Sequence, residues 1–287
     1  MTPFRLAGPT LRTNLHTHTT FSDGKFTLSE VVAAYEALDT DVVAITDHNQ
    51  WRNHSAASTE RLLLLNSNEP SLSHREHVLA TGVHHASPVD EGERSSTRTQ
   101  EVIDWIEENG GFSTLNHPTW TGMSIDRLLE LDRYRSIEIY NGGCAGHGSE
   151  YALTHWDELL RQGRRVWGLA TDDSHYDWDR GLGWVEVFAE KNETSVLEAL
   201  KEGRFYATMG PEIKHFECDG IRLYIRTEPV MGIAVMSIPG PIEVAHGGLN
   251  TVCELEWKIS SRAERYVRVE IHRADNKKAW TNPVFLD

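Results

Sequence analysis

Residues 11–48 read LRTNLHTHTTFSDGKFTLSEVVAAYEALDTDVVAITDH, and this stretch decides the fold class. Leu11–Leu15 is a short apolar run with strand character. Thr27-Leu-Ser-Glu30 is a capping box, in which threonine and glutamate satisfy each other's backbone N–H groups and open a helix through Leu38. Asp41–Ile45 is a second buried strand. Strand, helix and strand in succession make one βα unit.

Working outward, the pattern recurs. Further strands are expected at Leu62–Leu65, His77–Thr81, Gly111–Leu115, Ser136–Tyr140, Arg165–Ala170 and Trp184–Phe188. Helices are expected at Ser124–Arg133, Glu150–Arg161 and Thr194–Gly203, and one opened by Thr97-Arg-Thr-Gln100 and closed before Gly110-Gly111. Strands alternating with helices predict an α/β fold with a mainly parallel sheet, closed into a barrel. After Gly210-Pro211 the helical period disappears. Alternating runs at Ile221–Arg226, Gly232–Met236, Val252–Lys258 and Tyr266–His272 predict a small antiparallel β appendage. The expected division is therefore 1–211 and 212–287.

The chain has 287 residues, 39% hydrophobic and 25% charged, which is ordinary for a globular protein and argues against disorder as the default reading. Its net charge of −15 argues against wrapping nucleic acid, whose phosphates demand clustered Lys and Arg. A nucleotide or short oligonucleotide substrate stays open, because bound divalent ions would make a pocket locally positive. No apolar run is long enough to span a bilayer. Three scattered cysteines, Cys144, Cys218 and Cys253, give neither a disulfide framework nor CxxC spacing. The expected location is cytoplasmic, and the oligomeric state is left open.

The chemistry lies at the strand ends. His16 and His18, at i and i+2, point to one side of a strand end and can share an ion; Asp23 follows on the loop. Asp47-His48, Asn116-His117 and Asp173-Ser-His175 each come just past an apolar run. The carboxyl ends of parallel barrel strands open on one face, so these side chains converge there. Imidazole and carboxylate suit zinc, manganese or iron.

HxH followed by SDG, then TDH, NHP and DxH resembles the PHP superfamily of polymerase and histidinol phosphatase metallohydrolases, over about residues 11–210. Arg165–Ser174, Gly203–Pro211 and the β tail ending Ala279-Trp-Thr-Asn-Pro resemble more narrowly its carbaryl-hydrolase-like branch. The resemblance implies a distorted (β/α)7 barrel holding two or three divalent ions. His16, His18, Glu69 and Asp173 would hold one ion. Glu69 would bridge to a second, held also by His77 and His117. Asp23, His48 and His175 would hold the third. Glu76 competes with Glu69, His74, His84 and His85 with His77, and Asp172 with Asp173.

The implied activity is that of a metal-dependent hydrolase, with His16, His18, Asp173 and His175 at the catalytic centre and a hydroxide shared by the ions as nucleophile. The leading substrate is a small-molecule phosphate mono- or diester. Alternatives are a carbamate or carboxylic ester of an aryl alcohol, and a non-enzymatic metal-holding module. Aromatic residues stand three positions after four ligands: Phe21, Trp51, Trp120 and Trp178. Trp120, Trp178, Asn141 and Arg180 are the substrate-binding candidates, with Arg52 behind Arg180. Asp47 is either an acceptor orienting a metal histidine or a strand-end cap.

Overall fold

Helix α1 (Leu28–Ala37) starts where its capping box predicts. Thr27 Oγ1 accepts from Glu30 N–H, while Glu30 accepts from Thr27 N–H at 2.8 Å. The computed structural model describes residues 4–72, 76–87, 98–238, 240–259 and 263–286. Thr97 and His74 lie outside these, so the capping box expected at Thr97 and the candidacy of His74 do too.

The first strands are β1 (Phe4–Ala7), β2 (Leu11–Asn14), β3 (Val42–Ile45), β4 (Leu63–Asn68) and β5 (Val78–Thr81). Helix α2 (Arg98–Glu108) leads to β6 (Phe112–Leu115), then come the short α3 (Pro118–Thr121), α4 (Ile125–Glu130) and β7 (Ser136–Asn141). Helix α5 (Leu153–Arg161), β8 (Trp167–Thr171), β9 (Trp184–Val187), α6 (Glu193–Lys201) and β10 (Phe205–Thr208) complete this part. Strands β3, β5, β6 and β7 are buried at every position, as expected of strands covered on both faces.

The expected mainly parallel sheet is corrected to a mixed one. Pairs β2/β3, β3/β4, β6/β7 and β7/β8 are parallel. Pairs β4/β5, β5/β6, β2/β9 and β9/β10 are antiparallel. For β4/β5 the reason is connection length: residues 69–77 fall short of the dozen or so that a parallel crossover needs. Beyond the strand ends, a parallel bridge joins Thr17 to Ser174, with His18 N–H donating to Ser174 O at 2.9 Å. That bridge brings the segment after β2 against the segment after β8.

The remaining strands are β11 (Ile213–Cys218), β12 (Arg222–Val230), β13 (Gly232–Ser237), β14 (Gly240–His246), β15 (Val252–Lys258), β16 (Tyr266–His272), β17 (Lys278–Thr281) and β18 (Val284–Phe285). Burial alternates along β12 and β13, which one wet face and one dry face require. One four-stranded sheet runs β1-β11-β12-β15; β14-β13-β16-β17 continues through β10 into the large sheet. Between the two lies a core containing Leu6, Phe216, Ile225 and Trp257 from one side and Val235, Val269 and Ile271 from the other. The amino-terminal strand β1 thus packs with the carboxyl-terminal strands. Arg268, fully buried on β16, pairs with Asp157 of α5 at 2.7 Å and lies over the Trp156 ring, tying this layer to the α/β part.

Candidate metal centre

Of the nine nominated residues, Asp23, His48, Glu69, His77, His117, Asp173 and His175 line one hollow, and His16 and His18 lie against its Glu69 and Asp173. The backbone at this end is shaped for it. Gly24 has no room for a side chain: a Cβ would lie 2.6 Å from the carbonyl carbon and oxygen of His18. Asp173 adopts φ +51°, and a Cβ on Gly143 would lie 2.6 Å from Asp173 O. His117, at φ +28°, is followed by Pro118 at the first position of α3. Such sparsely populated dihedrals at non-glycine residues concentrate where a site over-determines the chain.

Glu69 occupies the middle, fully buried. Its Oε1 lies 3.0 Å from His77 Nδ1 and 3.4 Å from His117 Nε2. Its Oε2 lies 3.2 Å from His16 Nε2, 3.3 Å from His18 Nε2 and 3.0 Å from His48 Nδ1. Asp173 Oδ1 faces the same pair, at 3.1 Å from His16 Nε2 and 3.3 Å from His18 Nε2. At the outer edge Asp23 stands 3.3 Å from His175 and 3.6 Å from both His18 and His48.

Three ligand sets result: His16, His18 and Glu69; His48, Glu69 and His77; and His18, Asp23, His48 and His175. Within each, the ligand atoms lie within 4.8 Å of one another. His48 belongs to two sets, whereas the resemblance implied one.

The donor set fits divalent cations. Glu138 Oε1 lies 2.7 Å from His16 Nδ1, and a carboxylate there accepts a hydrogen bond from Nδ1–H. His16 Nε2 then presents its lone pair to two carboxylate oxygens and to His18 Nε2, 3.1 Å away. Lone pairs meeting lone pairs repel unless a cation lies among them. Glu69 Oε2 is buried and, despite three nitrogens close by, makes no hydrogen bond in donor geometry.

The protein's own electrostatics ask for the same charge. Burial would lower His16, but Asp173, Glu69 and Glu138 outweigh it and hold its pKa well above the usual value. Burial would raise Glu69, but His48, His16 and His77 outweigh it and hold its carboxyl well below the usual range. His175 is raised to about 9: burial opposes this, but the Asp23 hydrogen bond and Asp173 prevail.

Other nominated residues lie elsewhere. Arg180 does not line the hollow; it pairs with Asp177 at 2.8 Å and stacks over Phe26. Arg52 stacks over Phe21. Asn141 is buried beneath the ligands rather than facing substrate, donating to Glu138 at 2.8 Å and Asp173 at 3.1 Å. Asp47 accepts from Thr19 N–H, Thr19 Oγ1 and Ser22 Oγ, so it pins the loop between His18 and Asp23. Glu76 is occupied by Arg127 and Thr99. Asp172 turns away to accept from Tyr35 and from Gly181, Leu182 and Gly183 N–H. His84 pairs with Glu193, and His85 packs edge-on to Trp105.

Sequence reasoning missed Glu138, which besides His16 accepts from His117 N–H, Thr171 and Asn141. Its signal was present: a lone carboxylate between Ile137 and Ile139 in a strand with no wet face. Asn116, also missed, donates to Glu69 Oε1 at 2.6 Å.

The hollow measures about 460 Å3, and its wall includes Trp120, Tyr176, Trp178, Cys144 and His147. Trp120 meets the His117 ring edge-on at 5.0 Å, and Trp178 stacks on Tyr176. Of the other two aromatics in the expected rim, Trp51 packs toward Val83, its indole N–H donating to Val83 O, and Phe21 contacts His54. No arginine or lysine lines this hollow among the described residues.

No family model and no curated protein matches the chain. Solved structures do. A two-domain protein of Bacteroides vulgatus containing a predicted PHP-like metal-dependent phosphoesterase is similar over 96% of this chain and 95% of its own, with 17% identity and a TM-score of 0.53. PsfC from Pseudomonas syringae matches over 67% of this chain and 88% of its own, at 11% identity and TM-score 0.48. An amidohydrolase from Chromobacterium violaceum matches over 57% and 87%, at 18% identity and TM-score 0.45. The first likeness shows that this α/β part and its β layer together form a fold already seen in a solved structure.

Proposed function

We propose that this chain is a metal-dependent hydrolase of the PHP superfamily acting on small phosphate esters. The observation that carries the reading is Glu69, a buried carboxylate shared by five histidines at the floor of a 460 Å3 hollow. The proposed ligands are the nine residues named above, with His16, His18, Asp173 and His175 at the reacting centre. Divalent ions held there supply a Lewis acid and an acidified water.

The chain's own residues do the rest. Glu138 fixes the tautomer and orientation of His16, and Asn116 fixes Glu69. Asn141 holds Asp173. Trp120, Tyr176 and Trp178 offer apolar surface to the organic part of the substrate. We read strands β2 to β8 as the distorted seven-stranded barrel of the superfamily, a reading supported by the Thr17–Ser174 bridge. We also propose division near residue 211, with β1 counted in the carboxyl-terminal β unit because it pairs with β11.

A second reading, hydrolysis of an aryl carbamate or carboxylic ester, is favoured by two features: the aromatic wall, and a hollow that lacks lysine and arginine among the described residues. Phosphate recognition ordinarily recruits arginine. One experiment separates the readings: metal content by elemental analysis, with turnover of aryl phosphomonoesters, phosphodiesters and carbamates by the metal-loaded protein and by His16→Ala. Phosphate-ester turnover lost in the variant supports the first reading. Carbamate turnover alone supports the second, and full activity in metal-stripped His16→Ala protein sinks both.

A further inference from the structure

A second hollow, of about 680 Å3, opens at the other end of β7, which carries Glu138, and of β8, which precedes Asp173. Its wall is formed where Arg135 precedes β7, where Arg164 and Arg165 precede β8, and where α6 ends at Lys201. Strand rise places it on the order of 17 Å from the metal centre, measured along β7.

Its charge is unlike the rest of the molecule. The chain carries −15, yet Arg133, Arg135, Arg164, Arg165 and Lys201 line this hollow against only Glu107 and Asp132. The two acids are engaged, Glu107 by Arg135 and Asp132 by Arg164, both at 2.7 Å. Arg133 pairs outward with Asp104. Arg165 lies over the Phe285 ring, which fixes its guanidinium at the rim. At the edge, Arg265 Nη1 comes within 2.9 Å of where a Gly163 Cβ would stand. Lys201 registers the crowding: burial, then Arg135, lower its pKa from the usual value.

We propose that this hollow binds a compact, multiply charged phosphate compound. Several guanidinium forks and an ammonium arranged around one concavity suit tetrahedral phosphate oxygens, which offer acceptors in many directions at once. The strongly negative remainder of the surface disfavours an extended polyanion such as nucleic acid. The site does not depend on the hydrolase reading, since none of its residues approaches the metal ligands.

The test is calorimetric titration of the metal-loaded protein with pyrophosphate, beside citrate as a multiply charged carboxylate control at matched ionic strength. The expected result is one saturable site, weakened about a hundredfold or more in Arg165→Ala/Lys201→Ala, since each lost charged contact weakens binding about tenfold or more. Hydrolase activity of that variant stays at the wild-type level. If the double variant is unstable, Lys201→Gln alone carries the comparison. Pyrophosphate binding that survives undiminished in these variants belongs to the metal centre and overturns the proposal. So does the absence of saturable binding, or citrate binding as tightly as pyrophosphate.

Discussion

Glu138 Oε1 and His16 Nδ1 lie 2.7 Å apart in complete isolation from solvent, beneath the centre where His16 meets Glu69 and Asp173. The pair explains how one histidine can face two carboxylates with its other nitrogen. It also places a fourth carboxyl group at the site, in a position where it is saturated by protein donors and unable to serve as a ligand.

Glu138→Gln keeps the shape but turns one acceptor into an amide N–H₂, which then faces His117 N–H and Asn141 donors or His16. Metal affinity is expected to fall about 10- to 100-fold, the usual effect of losing a carboxylate behind a metal histidine. Chelator competition measures it; unchanged affinity would show that Glu138 only packs.

Metal removal has a stability consequence. Without cations, Glu69, Asp173 and Asp23 share one partly buried centre with only protonated histidines to balance their charge. Dialysis against a chelator is expected to lower Tm, and manganese or zinc at about 1,000 times Kd to restore about 4 kcal/mol. Glu69→Gln should lose most of that metal-dependent rise. A Tm indifferent to metal argues against the ligand assignment.

The aromatic wall predicts substrate preference. Trp120→Ala and Trp178→Ala are each expected to raise KM for aryl esters several-fold, with kcat within about twofold, because the lost contact is made equally in ground and transition states. Small alkyl esters serve as the control. Equal effects on both classes would mean that the rings merely roof the site.

An acid-stability prediction comes from the β layer. Glu270 is buried beside His272 at 3.0 Å and Arg268 at 3.3 Å. Burial works against its ionisation, but His272 and Arg268 prevail and lower its pKa from 4.5 to about 2. The unfolded chain takes up this proton first as pH falls. The contribution is therefore complete above about pH 4.5 and is lost as pH falls towards 2, on the order of 3 kcal/mol in all. Glu270→Gln should flatten denaturant-melt stability between pH 5 and 3 relative to wild type, where both proteins remain folded.

Arg268 gives the last prediction. Arg268→Ala removes a fully buried guanidinium that joins β16 to Asp157 of α5 and covers Trp156. A loss of about 3 kcal/mol or more is expected, because Asp157 and Glu270 both lose a fully buried cation, and Glu270 keeps only His272 and the more distant Lys278. Double-mutant cycles with Asp157→Asn separate that pair from the packing on Trp156.

Much of this was legible in the chain itself. Strand ends, the α1 cap and the clustering of histidines just past apolar runs follow from local periodicity, and local periodicity decides which face a residue occupies. HxH and DxH each put two candidate ligands two residues apart just past the ends of β2 and β8, although at DxH the φ of +51° at Asp173 departs from the extended backbone that the spacing assumes. Spacing and resemblance favoured Asp173 over Asp172 and Glu69 over Glu76, but the physical reasons for those choices were not legible. Asp173 rather than Asp172 reaches the centre because the backbone at Asp173 turns to φ +51° against Gly143, a contact made across the fold. Glu69 rather than Glu76 enters because Arg127 and Thr99 hold Glu76 elsewhere.

The sequence by itself determined the ligand types and the strand ends that bear them, since both depend on residues close together in the chain. Only the tertiary structure decided that β4 and β5 run antiparallel, that β1 joins the carboxyl-terminal layer, that Arg180 faces Asp177, and that Glu138 supports His16. The pairing of β1 with β11 and of Glu138 with His16 depends on partners far away along the chain, where side-chain spacing carries no information, whereas β4 with β5 and Arg180 with Asp177 are local choices that packing makes among several open to the chain.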